Sequence, residues 1–393
     1  MRAIADVCEN IGPRESGMPK EREAQEWIKN QIDSNGWADE SAIEEFRVSR
    51  HALVGFTKII GVFLIVGALL QLLTLVGNPA LTQAVKIVSL ILAVLSLLIV
   101  VLEFLFYVPF IDKFLPETTS CNVYAKYKPS GEVKRRIIIN GHTDSAYEWT
   151  LMKIRQEVMV AVLGLDLVCV IASIVIFVIN IIKGSVPLWS VIFSAATSVA
   201  YVGLFFVCNF KVLSPGANDN LTGVFVAVSA LKCLKESGIR YENTEVCALL
   251  TGSEEAGLRG ATAFTKKHKG ENKDVETYIV SFDTMRDYDH MTIYHRDMTG
   301  MVKNSPEVVA LLDEACKDPD VNHPLPHGVV PFGASDAAAF SRGGFKAAAV
   351  AGQNPKYAPY YHNRRDTPDQ LIPETFALGL DIALAAIEAF DRK

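Results

Sequence analysis

The sequence lacks several features that mark other classes of protein. Its seven cysteines are scattered without a CxxC pair, so neither a disulfide framework nor a zinc-thiolate site is predicted. No basic tract offsets the formal net charge of −6, which argues against a nucleic-acid-binding protein. Residues 1–17 contain no apolar core, so no signal peptide is expected there. We therefore expect free thiols in a reducing compartment.

Long hydrophobic runs, by contrast, are abundant. Almost uninterrupted apolar segments lie at 59–76, 85–108, 158–182 and 186–210. Short loops join the first segment to the second and the third to the fourth. A membrane span needs about 20 apolar residues, so these segments predict two transmembrane helical hairpins. Central helices of a soluble core are the alternative, which four such runs in two tight hairpins disfavour.

Charged residues indicate how these segments are oriented. Acidic residues within or near the runs, Glu103 and Asp166, are expected to take interfacial or interhelical places rather than to form an ion pathway. Basic residues on the side of the N-terminus are Arg47, Arg50, Lys58, Lys113, Lys153, Arg155 and Lys211. On the far side only Lys183 lies in a loop, with Lys86 just inside a span. The positive-inside rule then predicts a multi-pass protein of the inner cell membrane, with four spans and with the polar domain and both termini in the cytoplasm.

The polar remainder of the chain alternates between strand-like and helix-like segments. The strand-like segments are 42–48, 122–127, 136–139, 245–250, 278–282 and 346–351. Helices are expected at 21–32, between the later strands, and at 375–390. One of them has an apolar face between Val224 and Leu234 and is expected to end at Gly238. This alternation predicts an α/β fold with a mostly parallel, doubly wound mixed sheet, to which the two transmembrane hairpins are added.

The expected organisation follows from these composition changes. A single polar domain is interrupted twice, so its parts alternate with the hairpins along the chain. The predicted boundaries are 1–56 for the N-terminal part, 57–110 for hairpin one, 111–156 for the next strands, 157–211 for hairpin two and 212–393 for the remainder.

Candidate metal ligands stand just past strand ends or at turn junctions: His142, Asp219, Glu255, Asp283 and His362. In open α/β sheets the loops at the carboxyl ends of the strands converge on the functional site. Two imidazoles and three carboxylates suit a pair of divalent ions such as zinc, with one carboxylate bridging. Each residue alone has an ordinary interpretation, and for Asp219 it is a helix N-cap. The joint pattern favours the metal site.

Several strings resemble those of a known family. In chain order, NGHTDS, SPGANDNLTG, TGSEEAGLRG, SFDT and YYHNRRDTPD closely resemble the di-zinc aminopeptidases of metallopeptidase family twenty-eight. The wider family also contains glutaminyl cyclases and transferrin-receptor-type ectodomains. IGPRESG and FGASDAAAF are weaker matches. The strings cover the polar part of the chain and none of the apolar runs, so the resemblance implies a zinc-aminopeptidase fold for the polar domain.

The resemblance also implies which residues hold the metal ions. Asp219 would bridge both ions, and His142 and Asp283 would complete one site. Glu255 and His362 would complete the other. The family often has a non-proline cis peptide bond after the bridging aspartate, so one is expected here.

Catalytic and substrate-binding roles follow from the same resemblance. Glu254 would be the general base, taking a proton from the water between the ions and passing it to the leaving amine. Asp144 would hydrogen-bond the imidazole of His142. Asp336, within the weaker match FGASDAAAF, is a candidate for contact with the substrate, and apart from the resemblance His327, within LPHGVVPFG, is another. Ala337 stands where the family commonly has a histidine, so the wall of the substrate pocket is expected to differ.

The sequence thus predicts a membrane-anchored, zinc-dependent exopeptidase, most simply an aminopeptidase acting on short peptides. One alternative is a glutaminyl-cyclase-like acyl transferase that uses one zinc ion. A non-catalytic membrane receptor or scaffold is the other, which the presence of all the ligands and of Glu254 disfavours. The expected partners are a peptide substrate and the lipid bilayer but no nucleic acid, and a homo-oligomer is compatible with the sequence. Because hairpin two is inserted between His142 and Asp219, a site opening near the inner membrane surface is a further hypothesis.

Overall fold

The computed structural model describes residues 1–272, 274–298, 301–330 and 333–393. Within these residues the chain divides into two compact units. The α/β unit comprises Met1–Arg50, Pro116–Tyr147 and Val212–Lys393, and the helical unit comprises His51–Leu115 and Glu148–Lys211. Both apolar hairpins belong to the helical unit, and every string that carries the family resemblance belongs to the α/β unit.

Each strand predicted from the sequence lies within an observed strand. The strands are β1 (Glu40–Val48), β2 (Thr118–Tyr127), β3 (Arg135–His142), β4 (Tyr147–Glu148), β5 (Asn209–Leu213), β6 (Thr244–Thr251), β7 (Lys269–Asn272), β8 (Glu276–Met285), β9 (Met291–Asp297), β10 (Val302–Lys303), β11 (His327–Val329) and β12 (Lys346–Gly352). The α-helices are α1 (Arg2–Asp6), α2 (Pro19–Ser34), α3 (Ala52–Leu70), α4 (Pro79–Ile99), α5 (Thr150–Ile154), α6 (Gln156–Ile182), α7 (Leu188–Ala200), α8 (Thr222–Ser237), α9 (Arg259–His268), α10 (Pro306–Cys316), α11 (Asp336–Gly343) and α12 (Pro373–Asp391).

The α/β unit is built on one mixed sheet. Among the described residues, nine strands form it in the order β1-β2-β6-β3-β8-β12-β9-β10, with β11 paired to β9. Its centre is parallel, since β3 runs parallel to both β6 and β8, and β12 runs parallel to β8. Its flanks are antiparallel, in the pairs β1 with β2, β2 with β6, and β9 with β12. A separate two-stranded sheet pairs β4 with β5.

The central strands are covered on both faces. Every residue of β6 is buried, as expected for a central strand of a sheet that is covered on both faces. The structure therefore has the predicted α/β class with a mixed, mostly parallel central sheet. The antiparallel flanking strands belong to the same sheet.

Helix α8 lies unusually close to the ends of two central strands. A Cβ atom on Gly141 would come 2.4 Å from the carbonyl carbon of Gly223, and one on Gly223 would come 2.1 Å from the carbonyl oxygen of Phe282. Only glycine permits this approach, which brings the start of α8 to the carboxyl ends of β3 and β8. The helix ends at Gly238 in the left-handed conformation, as its sequence predicts.

The helical unit is apolar on its outside. Four helices of the described chain are long and apolar enough to cross a membrane by length and composition: Ala52–Val76, Pro79–Leu105, Gln156–Ile182 and Leu188–Phe206. Helix α3 packs against α4 and α7, and α6 also packs against α4 and α7. Only 22% to 33% of the most apolar window of each helix is buried. Most residues of these windows are therefore at least partly exposed.

Small polar groups inside the helical unit bond to one another. The Gln71 side-chain amide donates to Ser89 Oγ at 2.9 Å. The Asn180 side-chain amide donates to Ser190 Oγ at 3.1 Å. These contacts join helices of the unit by single hydrogen bonds between small uncharged groups.

The two acidic residues of the apolar runs have different surroundings. Glu103 Oε1 accepts the main-chain N–H of Ile111 at 2.6 Å, so this carboxylate caps the chain just beyond its own helix. Asp166 is buried and faces the neighbouring helix, because a Cβ atom on Gly203 would lie 3.9 Å from Asp166 Oδ2. Asp166 therefore lies between helices.

Candidate metal centre

The loops at the carboxyl ends of the central strands carry the candidate ligands. His142 ends β3, and Asp283 lies near the end of β8. Glu255 follows β6, Asp219 lies in the turn before α8, and His362 lies in the loop after β12. Because the carboxyl ends of parallel strands meet at one edge of a sheet, these loops converge there.

The described side chains form three groups. Within each group, the potential metal-binding atoms all lie within 4.8 Å of one another. The groups are His142–Asp219–Asp283, Asp219–Glu255–His362 and His142–Glu254–Glu255. The first two groups share Asp219. A pair of neighbouring metal sites bridged by one carboxylate requires this arrangement.

The two imidazoles approach opposite oxygens of the Asp219 carboxylate. His142 Nε2 lies 3.2 Å from Asp219 Oδ1, and His362 Nε2 lies 3.1 Å from Asp219 Oδ2. His362 Nε2 also lies 3.5 Å from Glu255 Oε1, and His142 Nε2 lies 3.9 Å from Asp283 Oδ1. Tetrahedral zinc with ligand bonds of about 2.0–2.2 Å places its ligand atoms about 3.3–3.6 Å apart. The observed spacings of 3.1 Å to 3.9 Å lie close to this range in both groups.

Two of the carboxylate oxygens that would bind the ions accept no hydrogen bond within the described part of the chain. Asp219 Oδ2 and Glu255 Oε1 are buried and accept no hydrogen bond from the described residues, although His362 Nε2 lies 3.1 Å from the first of them. Close approach without hydrogen-bond alignment is expected of ligands that point at a shared cation. Burial, with a contribution from the Asp219 carboxylate, raises the pKa of Glu255 to about 8. The residues therefore fit divalent cations, which would offset the crowding of carboxylates.

Asp366 fixes the main chain around Asp219. It is completely buried. Its Oδ1 accepts the N–H of Asn218 at 2.9 Å, and its Oδ2 accepts the N–H of Asp219 at 3.0 Å. Burial raises the pKa of Asp366 to about 6. The peptide bond between Asp219 and Asn220 is cis, as the family resemblance implies.

Asp144 holds the loop that carries the two glutamates. Its Oδ1 accepts the N–H of Glu254 at 3.0 Å, and its Oδ2 accepts the N–H of Glu255 at 3.0 Å. His142 Nδ1 lies 3.4 Å from Asp144 Oδ1, but it has no aligned hydrogen bond among the described residues. The contact to the imidazole thus stays a prediction, whereas the two main-chain contacts are direct.

Glu254 lies beside the first group. Its Oε2 is 3.9 Å from His142 Nε2. Burial, with further contributions from the carboxylates of Glu255 and Asp336, raises the pKa of Glu254 well above its usual range. Asp336 is itself buried and accepts a hydrogen bond from the hydroxyl of Thr251. The structure therefore places Asp336 among the carboxylates of this edge.

His327 is not brought into any of these groups. It is 42% exposed, and its Nε2 lies 2.8 Å from Asp313 Oδ1. Its predicted place in the substrate pocket has no support from this pairing. Phe332, the first residue of the FGASDAAAF string, lies outside the described residues.

Left-handed residues flank the ligands. Ser253, Thr284 and His362 have φ angles of 53°, 45° and 49°. Such values are uncommon for residues other than glycine, cost about 1–3 kcal/mol each and concentrate at functional sites. Ser253 precedes Glu254, Thr284 follows the ligand Asp283, and His362 is itself a ligand, so this local strain lies at the site.

Sequence reasoning assigned no role to Arg14, Glu21 or Asp366, all of which are buried charged residues. Glu21 accepts the N–H of Ser253 at 2.7 Å and the N–H of Gly17 at 2.6 Å, so it supports the turn that precedes Glu254. Arg14 and Asp366 lie inside strings that carry the family resemblance. Their place in these strings could have identified Arg14 and Asp366 as candidate residues of the site.

Comparison with known protein families identifies the chain. The model described as Peptidase family M28 matches residues 189–387, which is just over half of the sequence. The chain belongs to peptidase family M28. His142 and Asp144 lie before the matched residues, and the fold brings them to the M28 part of the site. No curated protein matches the sequence.

Solved structures share the M28 fold at low sequence identity. A zinc aminopeptidase from Bacillus subtilis is 14% identical with a TM-score of 0.55, over 98% of this chain and 93% of the other. The LapA aminopeptidase of Legionella pneumophila is 11% identical with a TM-score of 0.54, over 100% of this chain and 70% of the other. A glutaminyl cyclase from Fimbriiglobus ruber is 15% identical with a TM-score of 0.57, over 99% of this chain and 93% of the other. At these identities the likeness concerns the fold, while family membership and the His/Asp/Glu groups indicate a metal-binding metallohydrolase.

Proposed function

We propose that this protein is a membrane-anchored, zinc-dependent exopeptidase that removes N-terminal residues from short peptides. The observation that carries the proposal is the pair of metal-binding groups that share Asp219, with Glu254 beside them. Membership of peptidase family M28 supports hydrolysis of a peptide bond. The presence of every predicted ligand disfavours a purely structural receptor.

In this proposal each ion has three protein ligands. Asp219 holds both ions, and His142 and Asp283 complete the first site. Glu255 and His362 complete the second site. When bound, the ions supply Lewis-acid activation of a water molecule and polarise the carbonyl group of the scissile bond.

Glu254 is the proposed general base. The neighbouring glutamates are directed to different imidazoles, since Glu255 Oε1 lies 3.5 Å from His362 Nε2 and Glu254 Oε2 lies 3.9 Å from His142 Nε2. Glu254 would take a proton from the attacking water and later donate it to the leaving amine. Asp144 holds the main chain of both glutamates and so fixes the direction of each.

The test is release of amino acids from a panel of short peptides by the detergent-purified full chain. Glu254→Gln should lower kcat about 10²–10⁴-fold while both zinc ions remain bound, because a general base contributes that much. Glu276→Gln, which changes an exposed glutamate paired with Lys346, is the matched control and should leave the rate unchanged. If wild type with two bound ions releases no amino acid, the exopeptidase proposal fails, and if no metal binds, the receptor or scaffold alternative takes its place.

A glutaminyl-cyclase-like acyl transferase is the second candidate. The likeness to the Fimbriiglobus ruber glutaminyl cyclase, with a TM-score of 0.57, favours it as much as the aminopeptidase likeness favours the first. Such an enzyme would convert an N-terminal glutamine to a cyclic residue and release ammonia, with one zinc ion bound. Metal content and the product released from a glutamine-initiated peptide separate the two candidates.

The four long apolar helices support anchoring in the membrane, with the α/β unit in the cytoplasm. The excess of basic residues next to the spans on that side gives the orientation. The protein should resist extraction from membranes at high pH. A tag at either terminus should be cut by added protease in inverted vesicles only, and cutting in intact cells would refute the orientation.

A further inference from the structure

Arg14 is a fully buried cation whose partners are main-chain oxygens. Its exposed fraction is 0%. Its Nε donates to the carbonyl oxygen of Thr143 at 2.6 Å. Its Nη1 donates to the carbonyl oxygen of Pro215 at 2.8 Å, and its Nη2 donates to that of Gly216 at 2.9 Å. A buried charge is costly unless it is hydrogen-bonded, so these contacts are what allow Arg14 to occupy this position.

The main chain of Arg14 is tied to the same region. Its N–H donates to Ser145 Oγ at 3.2 Å, and the N–H of Ser145 donates to the carbonyl oxygen of Arg14 at 2.9 Å. Main chain and guanidinium therefore bind the loop after His142 together. The residue is held at both ends.

These loops carry two ligands of the first site. Thr143 directly follows His142, and Gly216 lies three residues before Asp219. Along the sequence, the apolar helices at Gln156–Phe206 lie between the two loops. The covalent chain therefore does not by itself fix the distance of 3.2 Å between His142 Nε2 and Asp219 Oδ1.

We propose that Arg14 is a positioning residue for the first metal site, formed by His142, Asp219 and Asp283, and that it holds this site together across the inserted hairpin. The inference rests on the proposed function, because it requires this group to bind an ion. Arg14 acts through the main chain of the loops, since its side-chain hydrogen bonds go to carbonyl oxygens.

Loss of the Arg14 contacts should weaken the binding of one ion more than that of the other. The second site takes Glu255 and His362, and the described contacts of Arg14 reach Glu255 only indirectly, through Asp144 between Thr143 and Ser145. Arg14 makes no hydrogen bond to the loop of His362 among the described residues. Only Asp219 is common to both sites. Loss of the Arg14 contacts should therefore weaken the first ion much more than the second.

The test is a zinc titration of the full chain in detergent, in competition with a chromophoric chelator, for wild type and Arg14→Lys. Lysine keeps the positive charge, but its single ammonium group cannot bond the three carbonyl groups with the planar fork of arginine. We expect the affinity of one ion to fall about 10–100-fold, as for other residues that orient ligands, while the second ion changes little. Unchanged affinity of both ions in the folded variant would overturn the proposal.

Arg135→Lys is the matched control. Arg135 also donates to main-chain oxygens of the α/β unit, those of Phe390 at 3.1 Å and Asp391 at 3.0 Å, but neither lies in a loop of the site. If Arg14 were merely structural, both variants would lower the unfolding temperature of the zinc-free protein and leave zinc affinity unchanged. A fall in zinc affinity confined to Arg14→Lys supports the positioning role.

Two further outcomes are distinguishable. If wild type binds no zinc, the proposed function fails and this inference fails with it. If wild type binds two ions and Arg14→Lys binds them equally well, only this inference fails. Should Arg14→Lys not fold, Ser145→Ala replaces it, because this change removes the acceptor of the Arg14 N–H. Unchanged affinity of both ions in Ser145→Ala would then overturn the proposal.

Discussion

The α/β unit and the helical unit bury polar side chains in different ways. In the α/β unit, carboxylates crowd together at one edge of the sheet, and other carboxylates such as Asp144 and Asp366 bind the main chain around them. In the helical unit Glu103 and Asp166 are also buried, but contacts such as that between Gln71 and Ser89 join small uncharged groups. The first pattern calls for a cation, because several carboxylates are concentrated where water is excluded. The second pattern relies on single hydrogen bonds in an apolar surrounding.

The helical unit is also distinguished by the apolar side chains on its surface. Large apolar side chains are exposed along the helices of the helical unit, and Val168 is 63% exposed. So many exposed apolar side chains indicate an interaction with another phase or partner. The α/β unit thus depends on a cluster of buried carboxylates, whereas the helical unit depends on its exposed apolar surface. Metal removal should therefore destabilise the first unit, and an added surface charge should disturb the second.

Removal of metal should have the largest effect and should act on the α/β unit. A chelator should abolish activity, and zinc should restore it. Because ligand at 100 times its dissociation constant stabilises the folded state by about 2.7 kcal/mol, the α/β unit should also unfold at a lower temperature. Activity assays and thermal unfolding followed by tryptophan fluorescence test this. Full activity after measured loss of all metal would contradict it.

Asp366→Ala should come next. It leaves the N–H groups of Asn218 and Asp219 buried without their charged acceptor, and such hydrogen bonds contribute about 1.5–3 kcal/mol each. We expect a loss of about 3–6 kcal/mol in the free energy of unfolding, together with weaker zinc binding. Asp369→Ala, an exposed aspartate of the same loop, should leave both quantities unchanged. Equal behaviour of the two variants would remove Asp366 from the site.

A charge introduced at an exposed apolar position should affect the two units differently. Val168→Arg places a charge in the middle of a proposed span, where insertion costs about 2.5–3.5 kcal/mol. Ile239→Arg changes an apolar residue of the α/β unit that is 47% exposed, and it should alter stability by only about 0.5 kcal/mol. The amount of protein recovered from the membrane fraction measures the first effect, and thermal unfolding measures the second. Normal recovery of Val168→Arg would count against a lipid-facing surface.

The smallest effect should follow from loss of one small polar side chain in the helical unit. Ser89→Ala removes the acceptor of the Gln71 amide and the donor to the carbonyl oxygen of Gly67. Interhelical hydrogen bonds of this kind in membranes average about 0.6 kcal/mol, so unfolding in detergent should change only slightly. A loss comparable with that of Asp366→Ala would show that the helical unit, too, depends on a few critical polar groups.

The sequence predicts elements whose signal is local. The apolar face and the closing Gly238 of α8 are one example, and the buried run of β6 is another. The ligand set follows from the family strings, because its members lie at strand ends in chain order. Strand β9, at Met291–Asp297, was not predicted because it mixes charged, polar and apolar residues without clear alternation.

Long-range contacts could not be predicted. The order of the strands and the antiparallel flanks depend on pairing between distant segments. Arg14 bonds carbonyl groups that lie 129 and 201 residues away along the chain, which no local pattern reveals. The pocket role of His327 stays a prediction, because LPHGVVPFG suggested it and the structure shows only that this side chain pairs with Asp313.

The zinc content of the purified chain tests the central claim most directly. The account predicts two ions per chain in wild type and about one in both His142→Ala and His362→Ala, because each imidazole belongs to one of the two groups that share Asp219. His327→Ala, outside these groups, should keep both ions. A single ion in wild type, or two ions retained in either ligand variant, would contradict a paired site bridged by Asp219.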